Sequence, residues 1–423
     1  MLQIQQIRTD KDLIIDRILK IRKLDVSEQI NEIFKLDIKK RETQKELDNF
    51  SSKMNILSSK IGDCFKNGEI DKANTLKKET TDIKDQIKSL KNAFNSFDDL
   101  IKELLYQIPN IPHDLVPSGK SEEDNQILYS SETKSLINTD LLPHWDLCSK
   151  YDLIDFELGV KISGAGFPVY KGKGAILQRA LIQFFLNEAN KNGFEELLVP
   201  HLVNEISGYG TGQLPDKEGQ MYHVTDDNLY LIPTSEVPIT NIYRDDIIEE
   251  ANLPIKHVGY TPCFRREAGS YGKEVRGLNR LHQFDKVEIV QITKPSESHN
   301  ALEHMVSYVE RLIKKLELPY RKLRLCGGDL GFTSALTYDL ETYSVGQNKW
   351  LEVSSVSNFE TFQSNRLKLR YRDKQKNLHL AHTLNGSALA LPRIMASLLE
   401  INQYEDGIHI PEVLKPYTGF EKI

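Results

Sequence analysis

The chain has 423 residues with 55 Lys and Arg against 61 Asp and Glu, a formal net charge of -6, which gives room for two or three domains and an ample core. That balance excludes a global basic footprint, so any nucleic-acid binding rests on a local patch. The four cysteines are far apart, with no C-x-x-C pair and no histidine at metal-ligand spacing, and the N-terminal MLQIQQIRTDKD has no apolar signal core, so reduced thiols in a cytoplasmic protein are expected.

The first hundred or so residues are nearly free of proline and glycine and are strongly periodic. Leu47, Met54 and Ile61 recur in heptad steps, and so do Phe50, Leu57 and Cys64, offset by three, which makes an a/d seam. Val26, Ile33 and Leu36 extend it backwards, with Lys40 and Thr43 interrupting. A second run carries Leu76, Ile83, Leu90, Phe97 and Leu104, backed by Ile87, Phe94, Ile101 and Ile108. Between the runs, Gly62–Gly68 holds an Asn-Gly turn signal. Two long helices with a short connection fold back as an antiparallel pair. Acidic and basic residues are about balanced along it, which by itself fits a solvated spacer or dimerisation coiled coil. PNIPHDLVPSGKSEEDN, from Pro109, then ends the helix and marks a linker, placing a boundary near residue 110 and dividing the chain into 1–110 and 111–423.

Beyond the linker, Ala175–Asn192 reads as an amphipathic helix ending at Gly193, and Phe194–Val203 as a strand whose Pro200 puts it at an edge or a bulge. Gly208–Pro215 (GYGTGQLP) matches neither a Walker loop nor a dinucleotide fingerprint and reads as a mobile loop. Leu229–Ile232 suggests a buried strand ending in Thr234-Ser235-Glu236, with Thr234 and Glu236 on one face; alone, such a triplet is a strand-end cap. Thr261–Glu267 and Leu281–Ile289 read as strands around a loop with Gly269, Gly272 and Gly277. Alternation puts Arg265 and Glu267 on one face of the first, and Arg280, His282, Phe284, Lys286 and Glu288 on one face of the second. The opposite face carries Leu281, Val287 and Ile289, interrupted by Gln283 and Asp285. A face this charged either is a solvated hairpin laced with surface pairs or binds something polar. A helix follows at about Ser296–Leu316. Trp350–Asn358 reads as a strand in which Glu352 and Ser355 share a face only if a turn or bulge intervenes. Last come an Asn385-Gly386-Ser387 turn and a helical run with Leu389, Ile394, Leu398 and Ile401. The absence of alternating βα units points to an α+β fold.

The segment from Thr261 to Ile289, with F-R-x-E and then R-G-L-x-R-x-H-Q-F-x-K-V-E, resembles motif 2 of the class II aminoacyl-tRNA synthetases in the form carried by seryl-tRNA synthetases. The resemblance implies that Arg265 holds the ATP α-phosphate, Phe284 stacks on adenine, and Glu288 receives the serine ammonium. It places Arg266, Glu267 and Arg280 in the ATP pocket, although a small residue is more usual at 266. Thr234-Ser235-Glu236 matches the family's T-x-E element, which binds the amino acid. Glu352-Val353-Ser354-Ser355 matches its E-[IV]-S-S element, implying ATP contacts and a magnesium ion at Glu352 and Ser355. HTLNGSALALPRIMASLLEINQ resembles motif 3, which implies Arg393 on the γ-phosphate, with Asn385 and Ser387 lining the serine pocket. Ala388 and Leu391-Pro392 depart from the usual small residues there, and Pro392 requires the first turn of a helix. KISGAGF (Lys161–Phe167) lacks an arginine common before its phenylalanine.

Taken over the whole chain, this family resemblance implies a mainly antiparallel sheet flanked by helices, preceded by a coiled-coil arm that reaches the long variable arm of tRNA. It implies ATP-dependent activation of L-serine, then transfer to the 3′ end of tRNA(Ser), and of tRNA(Sec) where one exists. Magnesium is the implied metal, and no zinc is expected. The helix and proline-bearing strand at 175–203 resemble motif 1, which implies a homodimer. Side chains cannot read base edges in the deep A-form groove, so the arm is expected to read backbone and shape through residues among Lys39, Lys40, Arg41, Lys45, Lys53 and Lys60. The rival readings are an adenylating enzyme that loads another carrier, a threonine- or proline-specific relative, and a tRNA-binding scaffold with a decayed site.

Overall fold

The computed structural model describes residues 1–132, 141–268 and 276–423; the expected loop glycines Gly269 and Gly272 fall outside these. The described chain divides into two compact units, one of Leu2–Leu19 and Leu24–Pro109, the other of Met1, Lys20–Lys23 and Asn110–Ile423.

In the first unit, α2 (Ser27–Lys66) and α3 (Ile70–Leu105) form the hairpin. The heptad positions Leu47, Phe50, Met54, Ile61 and Cys64 are half-buried, Leu57 and Ile83 fully so, while the residues between them are largely exposed. The apolar stripe therefore has the narrow width of a two-helix seam, as the repeat requires. The helix runs on through Gly62 to Lys66, so the connection is only Asn67–Glu69, with Gly68 at φ +75°. A single exposed helical glycine costs only about 1 kcal/mol, too little to end a helix of this length.

A further helix, α1 (Ile4–Arg22), precedes the hairpin and breaks its helical geometry at Asp10. Within this unit Arg8 donates to both oxygens of the buried Asp37, at 2.8 and 2.7 Å, and Arg41 adds a third bond at 3.0 Å. Burial opposes the charge on Asp37, but the two arginines outweigh it and hold the carboxyl below its ordinary value.

The second unit is built on an eight-stranded sheet. Its strands, in chain order, are β1 (Gln126–Ser130), β2 (Glu195–Glu196), β3 (Ile255–Phe264), β4 (Gln283–Thr293), β5 (Tyr320–Arg324), β6 (Leu336–Ser344), β7 (Lys349–Glu360) and β8 (His382–Ala390). Their order across the sheet is β1-β5-β6-β7-β8-β4-β3-β2, antiparallel throughout except for the β2–β3 pair. Helices α4 (Gly172–Lys191), α6 (Ser298–Lys315) and α7 (Leu391–Ile401) cover one face. They bury Leu181, Phe185, Met305, Val309, Ile394 and Leu398 against Val287, Ile289, Val353 and Val356. This is the α+β arrangement that the sequence pattern implies.

Several boundaries differ from the sequence reading. The stretch 194–203 is not one strand: β2 stops at Glu196, a separate short strand covers Leu202–Asn204, and Pro200 lies between them in irregular chain, where no ladder bond is asked of it. The glycine-rich stretch begins as a packed helix, Glu205–Thr211, because the Asn204 side chain caps it through the Ser207 N–H at 3.0 Å. Gly210 is needed there, since a Cβ would come within 2.6 Å of Leu367. Asn385-Gly386-Ser387 is no turn but the middle of β8, held by partners on both sides, and Leu389 belongs to that strand. Glycine fits because a Cβ at 386 would sit 3.2 Å from Val356. Pro392 lies in the first turn of α7, where its missing N–H costs nothing.

Candidate active site

The register of four strands, β4, β8, β7 and β6, assembles one polar face. Glu288 pairs with Ser387, Asn385 with Ser357, Ser355 with Asp339, and Glu352 with Glu341. Paired residues point to the same side of a sheet. Plain alternation would put Glu352 and Ser355 on opposite sides. The register shift between Leu340 and Glu341 leaves Val353 as the extra residue of a bulge and returns both to one face. Val353 itself is buried in the core, and the buried Ser354 hydroxyl donates to the Ser387 carbonyl at 2.6 Å.

At the centre of this face Glu288 is fully buried. The Lys286 ammonium lies 2.6 Å from its Oε2, Asn385 Nδ2 donates to Oε1 at 2.9 Å, and the Ser387 hydroxyl donates to Oε2 at 3.3 Å. A second carboxylate, Glu236, faces it from the start of α5 (Glu236–Asn241). Gln363 donates to Glu236 Oε1 at 2.7 Å, and is itself fixed by donating to the Thr211 carbonyl at 3.1 Å and accepting from Thr383 Oγ1 at 2.7 Å. Burial first, and the charge of Glu288 next, push the Glu236 carboxyl up to about 7, against the pull of Gln363, Lys286 and Arg265.

The strand expected to present Thr234 and Glu236 ends at Leu231, so their proximity comes from a turn into a helix rather than from alternation. The Thr234 hydroxyl accepts the Glu236 N–H at 3.2 Å, and the buried Ser235 hydroxyl donates to the Gly259 carbonyl at 3.3 Å.

Arg265 and Glu267 likewise lie past the end of β3, which stops at Phe264, and Arg280 and His282 precede β4. Glu267 has φ +47°, so strand alternation does not govern these side chains. The Arg265 guanidinium still lies over the Phe284 ring, 5.2 Å from its centroid, and Arg280 Nη1 donates to Glu267 Oε2 at 3.2 Å. Arg266 points elsewhere, over the Tyr222 ring at 6.0 Å.

At the other end of the face, Arg393 donates through Nη1 to the Glu352 carbonyl at 2.7 Å and through Nε to the Asn279 carbonyl at 3.1 Å. Beside Glu352, Asp339 is buried with its Oδ1 lacking a hydrogen-bond partner. Its carboxyl is raised well above the ordinary range by burial and by the charge of Glu352, with the Ser355 hydroxyl opposing.

The structure thus gathers Glu236, Glu288, Asn385 and Ser387 into one buried cluster, and Glu352, Ser355 and Arg393 at a second end. Sequence reasoning missed Lys286, Gln363 and Asp339 as members of the site. Lys286 had a signal, since it alternates with Phe284 and Glu288; Gln363 and Asp339 sit in no motif.

Residues 222–402 match the family described as tRNA synthetase class II core domain (G, H, P, S and T), and residues 1–112 the seryl-tRNA synthetase N-terminal domain. The chain is 45% identical to the serine–tRNA ligase of Salinibacter ruber over 425 residues, covering 100% of this chain and 99% of the relative. Among solved structures it resembles the seryl-tRNA synthetase of Pyrococcus horikoshii complexed with ATP, with TM-score 0.92, 34% identity and coverage of 100% and 99% of the two chains. It also resembles the cytoplasmic serine–tRNA ligase of Naegleria fowleri in complex with AMP, with TM-score 0.87, 27% identity and coverage of 100% and 98%.

Proposed function

This chain belongs to the seryl-tRNA synthetase family, and we propose that it activates L-serine with ATP and transfers the seryl group to the 3′ end of tRNA(Ser), or of tRNA(Sec) where the cell makes one. The observation that carries the site assignment is the Glu288 cluster. A buried carboxylate facing a second one, Glu236, with a hydroxyl and an amide on the same face, suits a ligand with an ammonium at one end and a hydroxyl close to it. Glu288 and the Thr234–Glu236 segment hold the serine ammonium, and Lys286 yields its place beside Glu288. Ser387 and Asn385 meet the serine hydroxyl. A site built to pair an OH penalises alanine strongly, while threonine is excluded by the size of the pocket.

ATP lies along the remainder of the face. Arg265 holds the α-phosphate, Phe284 stacks on adenine, and Arg393 holds the γ-phosphate, with Glu267 and Arg280 at the rim and Arg266 turned away toward Tyr222. The oxygen donors of Glu352 and Ser355, sharing a face beside the unpartnered Asp339 Oδ1, fit a magnesium ion. Bound there, the ion offsets charge on the phosphates. The serine carboxylate attacks the α-phosphorus, pyrophosphate leaves, and Arg265 stabilises the charge that builds on the α-phosphate oxygens. The terminal ribose hydroxyl of tRNA then takes the acyl group from seryl-adenylate and AMP departs. No protein nucleophile is needed, because positioning supplies much of the acceleration.

The 1–110 arm contacts the tRNA backbone, and 111–423 carries the chemistry of both steps. We assign the homodimer contact to the helix–strand unit from Gly172 to Asn204; there Leu198 is 86% exposed and Leu202 42% exposed, an apolar surface that a partner copy would cover. No described helix is long and apolar enough to cross a membrane. The test is serine charging of tRNA(Ser) beside serine-dependent adenylate formation, in the full chain and in one lacking residues 27–105. Loss of charging with adenylate formation largely kept is the expected result; equal loss of both would refute the division of labour.

A further inference from the structure

Well apart in sequence, His113, His299 and Glu360 are brought together so that one ligand atom from each lies within 4.8 Å of the others. Among the described residues this is the one group of three or more His, Cys, Asp or Glu side chains with that property. We propose that these three residues form a binding site for a divalent transition cation of the zinc class, separate from the magnesium site assigned above.

Three backbone elements present the ligands. His113 lies in the chain that enters the second unit, where its N–H donates to the Ala335 carbonyl at 2.8 Å and its carbonyl accepts from Val116 at 3.0 Å. The Leu115 N–H donates to His113 Nδ1 at 3.3 Å; a neutral imidazole that ligates through Nε2 carries its proton on Nδ1, so metal binding there would give up this long bond. His299 is the second residue of α6, and Glu360 is the last residue of β7, its N–H tied to Asn358 Oδ1 at 2.9 Å. The two imidazoles overlap at a centroid distance of 4.1 Å with a 37° tilt.

The distances suit a small cation. Zinc bonds of about 2.0–2.2 Å to nitrogen and oxygen place tetrahedral ligands roughly 3.3–3.6 Å apart. His299 Nε2 and Glu360 Oε1 already stand 3.6 Å apart, so small side-chain rotations bring in His113. A second observation points the same way. His299 Nδ1, the ring nitrogen away from Glu360, is buried and has no hydrogen-bond partner, so no protein group fixes the tautomer and Nε2 is not committed to carrying the proton. The His299 and Glu360 side chains keep 40% and 34% of their exposure, which leaves a way in for the ion and a fourth position for water.

Two imidazoles and one carboxylate select zinc-class ions over magnesium, which prefers an all-oxygen shell. The ion would staple the 110–116 segment to the start of α6 and the end of β7. A plain His299–Glu360 ion pair is the rival, and it would take no metal.

The test uses the full chain, stripped with chelator and titrated with Zn²⁺ alone, without ATP or magnesium, by equilibrium dialysis and by calorimetry. One ion per chain is expected, with affinity falling at least tenfold in His113→Gln, His299→Gln and Glu360→Gln. Zn²⁺ should also raise the melting temperature of the wild type and not of the variants. Glu352→Gln, in the magnesium assignment, should bind Zn²⁺ as the wild type does, so this inference and the ATP-site reading fail separately. If the histidine variants do not fold, Glu360→Gln alone decides. No saturable binding, or binding that survives these substitutions, overturns the proposal.

Discussion

Glu236 gives the sharpest handle on the site, because its environment makes opposite demands on stability and function. Burial and the facing Glu288 raise its carboxyl from 4.5 to about 7. At about 1.4 kcal/mol per unit, keeping it ionised in the free protein costs on the order of 3 kcal/mol. The sign follows from linkage. A carboxylate raised in the folded state favours folding most below its unfolded value of 4.5, and that favour is lost as pH rises through about 7. Glu236→Gln removes the charge and keeps an oxygen that can accept from Gln363. The variant should therefore be more stable than the wild type at pH 8, by up to about 3 kcal/mol, or roughly 4 °C in melting temperature for a unit of this size. The gain should shrink as the pH approaches 5. Serine binding should move the other way, because the ammonium loses one of its two carboxylates, and KM for serine should rise by at least tenfold. Thermal melts across pH 5–8, with serine titrations of both proteins, test this. A variant destabilised equally at both ends of the range, or one with unchanged serine KM, would refute the reasoning.

Ser387→Ala should lower the preference for serine over alanine by about tenfold to a hundredfold, on the order of 1–3 kcal/mol, because the serine hydroxyl loses its partner. Comparing kcat/KM for the two amino acids in adenylate formation checks it; an unchanged ratio would place the hydroxyl contact elsewhere. Leu198→Asp should turn a dimer into a monomer by light scattering, since it sets a charge in the apolar surface beside Pro200. A variant that stays dimeric would move the contact to another surface.

The hairpin was legible because a seam repeated over many heptads leaves few alternatives, and each seam position is at least half-buried in the structure. The helix before it was not, since the break at Asp10 interrupts its pattern. The bulge at Val353 could be inferred, because Glu352 and Ser355 need it to share a face. The two-sided pairing of Asn385–Ser387 could not, since β8 is held by tertiary partners that override the local turn chemistry. Glycine-rich chemistry also misled at Gly208 and Gly210, which serve close packing, while Gly212, at φ +100°, ends the helix in the left-handed conformation. Gln363 and Asp339 escaped notice because their roles come from what the fold brings to them, and the His113–His299–Glu360 group because sequence spacing carries no trace of it.

The most direct measurement is amino-acid-dependent ATP–pyrophosphate exchange with serine, threonine, alanine and glycine, using Arg265→Ala as the control. Exchange with serine alone, lost in Arg265→Ala, is the predicted result. Exchange supported by another of the four amino acids and not by serine, or none with any of them, would contradict the assignment of this face to serine activation.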